Sequence, residues 1–253
     1  MTLETHAVTG TPFEYNIIPA IFSGALLAYS AAGLRVTLTL ASVNPVSVTG
    51  SVPHFALACA SLISLIPFSS LLYFHQALWL TAAAALSFLY MIPVRFAGRT
   101  YGRWRVFHPW KNIIVSVVWT LATVVIPLNV GPGDMGSPEL LLLCARRFIF
   151  IYCLATLYDL PDAASDKMHQ AGTIPVRFGH KAALITAGFA LFVFSLLTVI
   201  DTFIETNVAG ALILSAAYTL GIIMLVNPFR RRQQYRMLVD SAMAVQALLV
   251  LIV

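Results

Sequence analysis

Charge is what this 253-residue sequence has least of. Charged side chains make up 10% of it, only ten residues are acidic, and none of those ten falls between Glu14 and Asp134. Hydrophobic residues make up 59%, so the chain has too little polar surface to enclose a soluble core, which excludes an ordinary soluble domain. Cysteine is scarce as well: Cys59, Cys144 and Cys153 lie inside apolar runs without metal-ligand spacing, which leaves core packing. His54, His75, His108, His169 and His180 form no close pair, so a histidine-based metal site has little support. Also missing is a basic segment leading into a small-residue cleavage site. Met1 to Pro12 is polar, a cleaved signal is not expected, and residues 1–15 read as a short polar tail.

What fills the sequence is a series of apolar segments, at Ile17–Val36, His54–Tyr73, Ala77–Pro93, Asn112–Val130, Leu140–Tyr158, Ala182–Ile200, Val208–Val226 and Met237–Val253. Each is close to the ~20 residues that cross a bilayer as a helix. The expected fold is therefore all-α: a polytopic bundle of about eight transmembrane helices forming one integral membrane domain over residues 1–253. The connections carry turn residues, as in Asn129-Val130-Gly131-Pro132-Gly133-Asp134, and none is long enough for a separate soluble domain.

The basic residues orient the bundle. Arg35, the loop with Arg95, Arg99, Arg103, Arg105 and Lys111, the loop with Lys167, Arg177 and Lys181, and the loop with Arg230, Arg231, Arg232 and Arg236 share one side if the spans alternate. That side is expected to be cytoplasmic, with both termini outside, and the bacterial inner (plasma) membrane is the expected location. The opposite loops carry Asp134, Glu139, Asp201 and Glu205 without lysine or arginine. A net charge of +5 laid along a membrane face attracts lipid headgroups or diphosphates and implies no nucleic-acid partner.

Three of the ten acidic residues gather on that side, in Tyr158-Asp159-Leu160-Pro161-Asp162-Ala163-Ala164-Ser165-Asp166-Lys167. On a continuous helix, Asp159, Asp162 and Asp166 occupy one stripe. Carboxylates so close need protons, basic partners or a cation, and Mg²⁺ prefers such oxygens, with substrate phosphates completing its shell. The plainer reading is an acidic helix end with Lys167 beside it. Two arginines break the apolar pattern. Arg146 and Arg147, about two turns into the fifth span, either line a polar cavity or snorkel outward to Glu139. Asp240, one turn into the last span, either pairs with the Arg230–Arg236 loop or lines the same cavity as the aspartates.

The spacing Asp159-x₂-Asp162-x₃-Asp166 resembles the second aspartate-rich motif of the UbiA-type intramembrane prenyltransferases. The following Gly172-Thr173-Ile174-Pro175-Val176-Arg177-Phe178-Gly179 looks like the segment that succeeds it. Leu89-Tyr90-Met91-Ile92-Pro93-Val94-Arg95 and Tyr235-Arg236-Met237-Leu238-Val239-Asp240 are similar to two further stretches of that family. The resemblance implies an all-helical bundle around a cavity, in which two aspartate-rich motifs hold Mg²⁺ on a polyprenyl diphosphate whose prenyl group passes to a lipophilic acceptor, aromatic or quinone-type. Asp159, Asp162 and Asp166 are then metal ligands, and Arg35, Arg95, Arg103, Lys111 and Lys167 are candidate diphosphate contacts. The departure from the family is the first motif. Its place falls at Ala28-Tyr29-Ser30-Ala31-Ala32-Gly33-Leu34-Arg35, which has no carboxylate. Two functions stay open: a Mg²⁺-dependent prenyltransferase, or a non-catalytic isoprenoid- or quinone-binding membrane protein that has lost the first metal site.

Overall fold

The computed structural model describes residues 2–10, 18–24, 73–91, 93–96, 99–103, 110–131, 133–168, 172–225, 227–228 and 232–253. Helix α1 spans Thr2–Thr9, and residues 18–24 are helical. Helix α2 (Phe74–Met91) leads into a hairpin of β1 (Pro93–Phe96) and β2 (Arg99–Arg103). Helix α3 (Trp110–Thr120) continues as a π-helical turn over Leu121–Val125. Then follow α4 (Pro138–Asp159), the short α5 (Ala163–Met168) and α6 (Ile174–Arg177), and the long α7 (Gly179–Ile200), α8 (Thr206–Leu225) and α9 (Arg232–Ile252).

Helices α4, α7, α8 and α9 are each long and apolar enough to cross a membrane. They coincide with the last four expected spans, and α2 and α3 with the third and fourth; the second span, and most of the first, lie outside the described residues. Among the described residues, the one departure from helix is the β1–β2 hairpin, antiparallel with Arg95 opposite Thr100 and an irregularity next to Pro93.

Helix α4 is the centre of the described bundle, packing on α3, α7 and α9. Ser137 caps its first turn by accepting a hydrogen bond from the Leu140 amide (3.3 Å), and Pro138 stands where a missing N–H costs nothing. Against it α7 turns Ala183, Ala187, Ala190, Leu191 and Phe194, a stripe whose small members let the two backbones approach closely without a driving force from water. Phe150 and Phe194 meet at 5.3 Å between ring centroids. On the other side of α7, Ile185, Phe189, Phe192 and Leu196 are exposed, as lipid-facing residues should be.

Two further stretches depart from the sequence expectations. The stretch read as a polar tail contains a helix, α1, that packs on α9 and on the π-helical turn, with Glu4, Thr5 and His6 all buried. The cause sits in the partner. Pro127 has no N–H to bond the carbonyl of Thr123, four residues back, and the Leu128 amide bonds Val124 instead. The Thr5 hydroxyl donates to that Thr123 carbonyl at 2.6 Å, satisfying a buried acceptor that the helix itself cannot.

The second is the aspartate stretch. The helix ends at Asp159, Leu160 to Asp162 form a turn, and α5 begins at Ala163. Pro161 dictates this: its ring clashes with the preceding turn and it offers no amide, so Leu160 folds back onto the Leu157 carbonyl (3.2 Å) and the regular ladder stops. Asp159, Asp162 and Asp166 therefore do not share one continuous helical stripe.

Candidate functional site

At the Asp159 end of α4 four elements converge. Lys111 in the first turn of α3 donates its ammonium to Asp159 Oδ1, and the neighbouring Asn112 donates to Asp159 Oδ2 at 3.2 Å and to Thr156 Oγ1 at 3.3 Å. The Asp159 side chain is only 3% exposed, and one cation plus one amide supply what its carboxylate loses from water. The same ammonium lies 3.9 Å from Asp166 Oδ2 on α5. Asp162, in the turn, receives Arg236 of α9 at 2.5 Å, a more open pair at 35% and 43% exposure. Tyr158 helps hold that corner by donating to the Arg236 carbonyl at 3.5 Å.

The three aspartates thus stand near one another, yet Asp159 is engaged by Lys111 and Asn112, and Asp162 by Arg236. Among the described residues, no group of three or more His, Cys, Asp or Glu side chains converges as a metal cage. Mg²⁺ does not require one: one or two carboxylates suffice, the rest being water and phosphate oxygen. Asp166 Oδ2 is a buried oxygen that accepts no hydrogen bond, and its neighbour Asp162 supplies a second hard oxygen donor. Asp166, with its unbonded oxygen, and the partly exposed Asp162 carry the oxygens a hard divalent cation takes, while Asp159 is held by its lysine.

Of the expected diphosphate contacts, Lys111 is in the cluster. Lys167 sits exposed on α5. Arg95 and Arg103 stand on the two strands of the hairpin that separates α2 from α3, with the backbone alone described, and Arg35 and the rest of the Ala28–Arg35 stretch lie outside the described residues. Asn112, Thr156 and Arg236 went unassigned in sequence. Asp240, expected either to pair with the Arg230–Arg236 loop or to line the aspartates' cavity, is exposed, and Arg236 reaches Asp162. A signal for Asn112 exists in the buried series Asn112, Ser116 and Thr120, a polar stripe at four-residue spacing along an apolar helix.

The other end of the described bundle holds the two arginines of α4. Arg146 pairs with Asp201 at 2.7 Å, and Arg147 with Glu4 at 3.0 Å, all four side chains at most 4% exposed. Neither turns outward to Glu139, which is exposed in the first turn of α4. Burial of an arginine in this fold requires a carboxylate brought to it, and the bundle brings two.

No protein-family model and no curated protein matches this sequence. Solved structures do match. A digeranylgeranylglyceryl phosphate synthase, studied for its structure and mechanism in membranes, superimposes with a TM-score of 0.65 at 12% identity, over 99% of this chain and 90% of that one. The apo structure of a UbiA homologue from Aeropyrum pernix K1 gives 0.64 at 17% identity, over 99% and 93%. At such identities the likeness is one of fold, and it extends over nearly the whole chain, which folds as these two membrane bundles do.

Proposed function

We propose that this chain is a membrane prenyltransferase that binds a polyprenyl diphosphate at the Asp159–Asp166 corner and passes the prenyl group to a lipophilic acceptor of aromatic or quinone type. The observation that carries the reading is the meeting of Lys111, Asp159 and Asp166, beside Asp162 and Arg236, at one end of a UbiA-type bundle. A diphosphate is a polyanion, and two cations already drawn to this corner by carboxylates are placed to exchange part of their pairing for phosphate oxygens. Asp162 and Asp166 are the residues that would hold Mg²⁺, whose contribution when bound is to neutralise charge developing on the leaving diphosphate. The protein's own share is to hold Lys111 and Arg236 beside that charge. In the reaction the allylic carbon–oxygen bond breaks with its electron pair going to diphosphate, a ring carbon of the acceptor bonds the allylic carbon, and the ring gives up a proton.

A second reading has its own observation. Asp159 is already neutralised by Lys111, and the stretch Ala28–Arg35 contains no carboxylate, a combination that suits a bundle which binds an isoprenoid or quinone without turning it over. Incubating the purified protein with Mg²⁺, a radiolabelled polyprenyl diphosphate and an aromatic acceptor separates the two. Prenylated acceptor with stoichiometric diphosphate supports the transferase; saturable binding without either product supports the binding protein.

A further inference from the structure

Arg147 belongs to a second charged group that the proposed reaction does not use. It lies about 18 Å along α4 from Asp159. Among the described residues, its guanidinium donates to Glu4 Oε2 at 3.0 Å, Thr5 Oγ1 at 3.3 Å and Gln246 Oε1 at 3.4 Å. Two of the three are carried by α1. The adjacent Arg146 is compensated differently, because its partner Asp201 closes α7 and is part of the spanning framework. The described counter-charge of Arg147, Glu4, comes from an eight-residue helix, too short to persist by itself, that ends on Gly10 at a φ of 65°. A guanidinium buried this deeply demands an anion, so any departure of α1 calls for a replacement.

We propose that this end of the bundle is a binding site for an anionic membrane amphiphile, and that Glu4 and Thr5 of α1 occupy it when the amphiphile is absent. The chemistry of the ligand follows from the two side chains standing there. Glu4 offers anionic oxygen to Arg147, and Thr5 offers a hydroxyl to the Thr123 carbonyl that Pro127 leaves without a helical donor. A headgroup combining phosphate oxygen with a hydroxyl, as phosphoglycerol does, meets both demands. Around the arginines the site is lined by Leu143, Phe150, Phe194 and Leu212, and with α1 in place the free space there is no larger than a water, so the amphiphile enters only as Glu4 and Thr5 withdraw. The site is separate from the aspartate corner and holds whether or not that corner turns over a substrate.

Two measurements test it. The intact protein is placed in nanodiscs of phosphatidylglycerol or of phosphatidylcholine, and hydrogen exchange is followed over residues 2–9. Exchange there is expected to be several-fold faster in phosphatidylglycerol, with α7 unchanged; equal exchange in the two lipids overturns the proposal. In parallel, Glu4→Gln is compared with the unaltered chain for lipid retained in native mass spectrometry. The variant is expected to hold phosphatidylglycerol more tightly, and Glu4→Gln with Arg147→Gln to lose that gain; retention at the unaltered level in Glu4→Gln overturns the proposal. Glycerol phosphate added to the variant tells the sources apart. Displacement assigns recognition to the headgroup alone, and persistence assigns it to headgroup and chain together.

Discussion

Lys111, in the first turn of α3, donates to Asp159, the last residue of α4, so that a protein cation closes the most buried corner of the aspartate cluster. The pairing joins the entry of one helix to the exit of the next and leaves Asp162 and Asp166 as the more available carboxylates. Lysine and a divalent cation are then competitors for the same negative charge.

That competition gives the first prediction. Lys111→Met leaves Asp159 buried with Asn112 as its remaining described donor, which should cost about 2 kcal/mol of stability. Mg²⁺ should bind the variant more tightly than the unaltered protein, because the carboxylates have lost a resident cation. Adding Asp159→Asn should restore much of the stability and abolish the gain in Mg²⁺ affinity. Thermal unfolding in detergent and calorimetric titration measure the two effects, and additive losses in the double variant would show that the pair is not coupled.

At Asp162 the expected balance is the reverse, with little stability at stake and much binding. Its pair with Arg236 is open to solvent on both sides and contributes under about 1 kcal/mol. Asp162→Asn and Arg236→Gln should unfold near the unaltered temperature, yet each should weaken Mg²⁺-dependent binding of a non-hydrolysable prenyl diphosphate. Glu205→Gln, exposed between α7 and α8, serves as the charge-matched control. Normal diphosphate binding by Asp162→Asn would reduce the cluster to an acidic helix end.

Asp201, though it too lies between spans, is no such control. It is 2% exposed and paired with Arg146, and Asp201→Asn should cost about 3–5 kcal/mol by leaving a buried arginine uncompensated. Diphosphate binding by the protein that remains folded should be unchanged. Arg146→Gln combined with Asp201→Asn should recover part of the loss, as read by unfolding temperature and by the retained monomer fraction in size-exclusion chromatography.

The sequence carried the helical order well because apolar run length is a property of each span alone: α7, α8 and α9 begin and end within a few residues of the expected segments. The aspartate stretch was legible as a motif and misleading as geometry. Spacing placed Asp159, Asp162 and Asp166 on one stripe, whereas Pro161, visible between them, ends the helix at Asp159 and gives each aspartate a separate environment. The partners of Arg146 and Arg147 were beyond reach for a different reason. Glu4 is 143 positions from Arg147, and a pair formed across the bundle leaves no periodicity in the chain.

Thr5 and Pro127 allow the account of α1 to be tested without touching a charge. The Thr123 carbonyl accepts from the Thr5 hydroxyl because position 127, which would supply the helical amide, is proline. Thr5→Val keeps the size of the side chain and removes both the donor to Thr123 and one acceptor of Arg147, leaving a buried carbonyl unsatisfied at a cost of about 1–3 kcal/mol. The same substitution should loosen α1, so hydrogen exchange over residues 2–9 should rise along with the fall in unfolding temperature. Pro127→Ala then becomes informative, since it returns an N–H to the helix at the position from which Thr123 is ordinarily bonded. In the Thr5→Val background it should recover unfolding temperature while α1 stays loose, separating satisfaction of the carbonyl from docking of the helix. If Pro127→Ala leaves the Thr5→Val loss unchanged, the hydroxyl contributes through packing of α1 and the carbonyl of Thr123 is not what holds it.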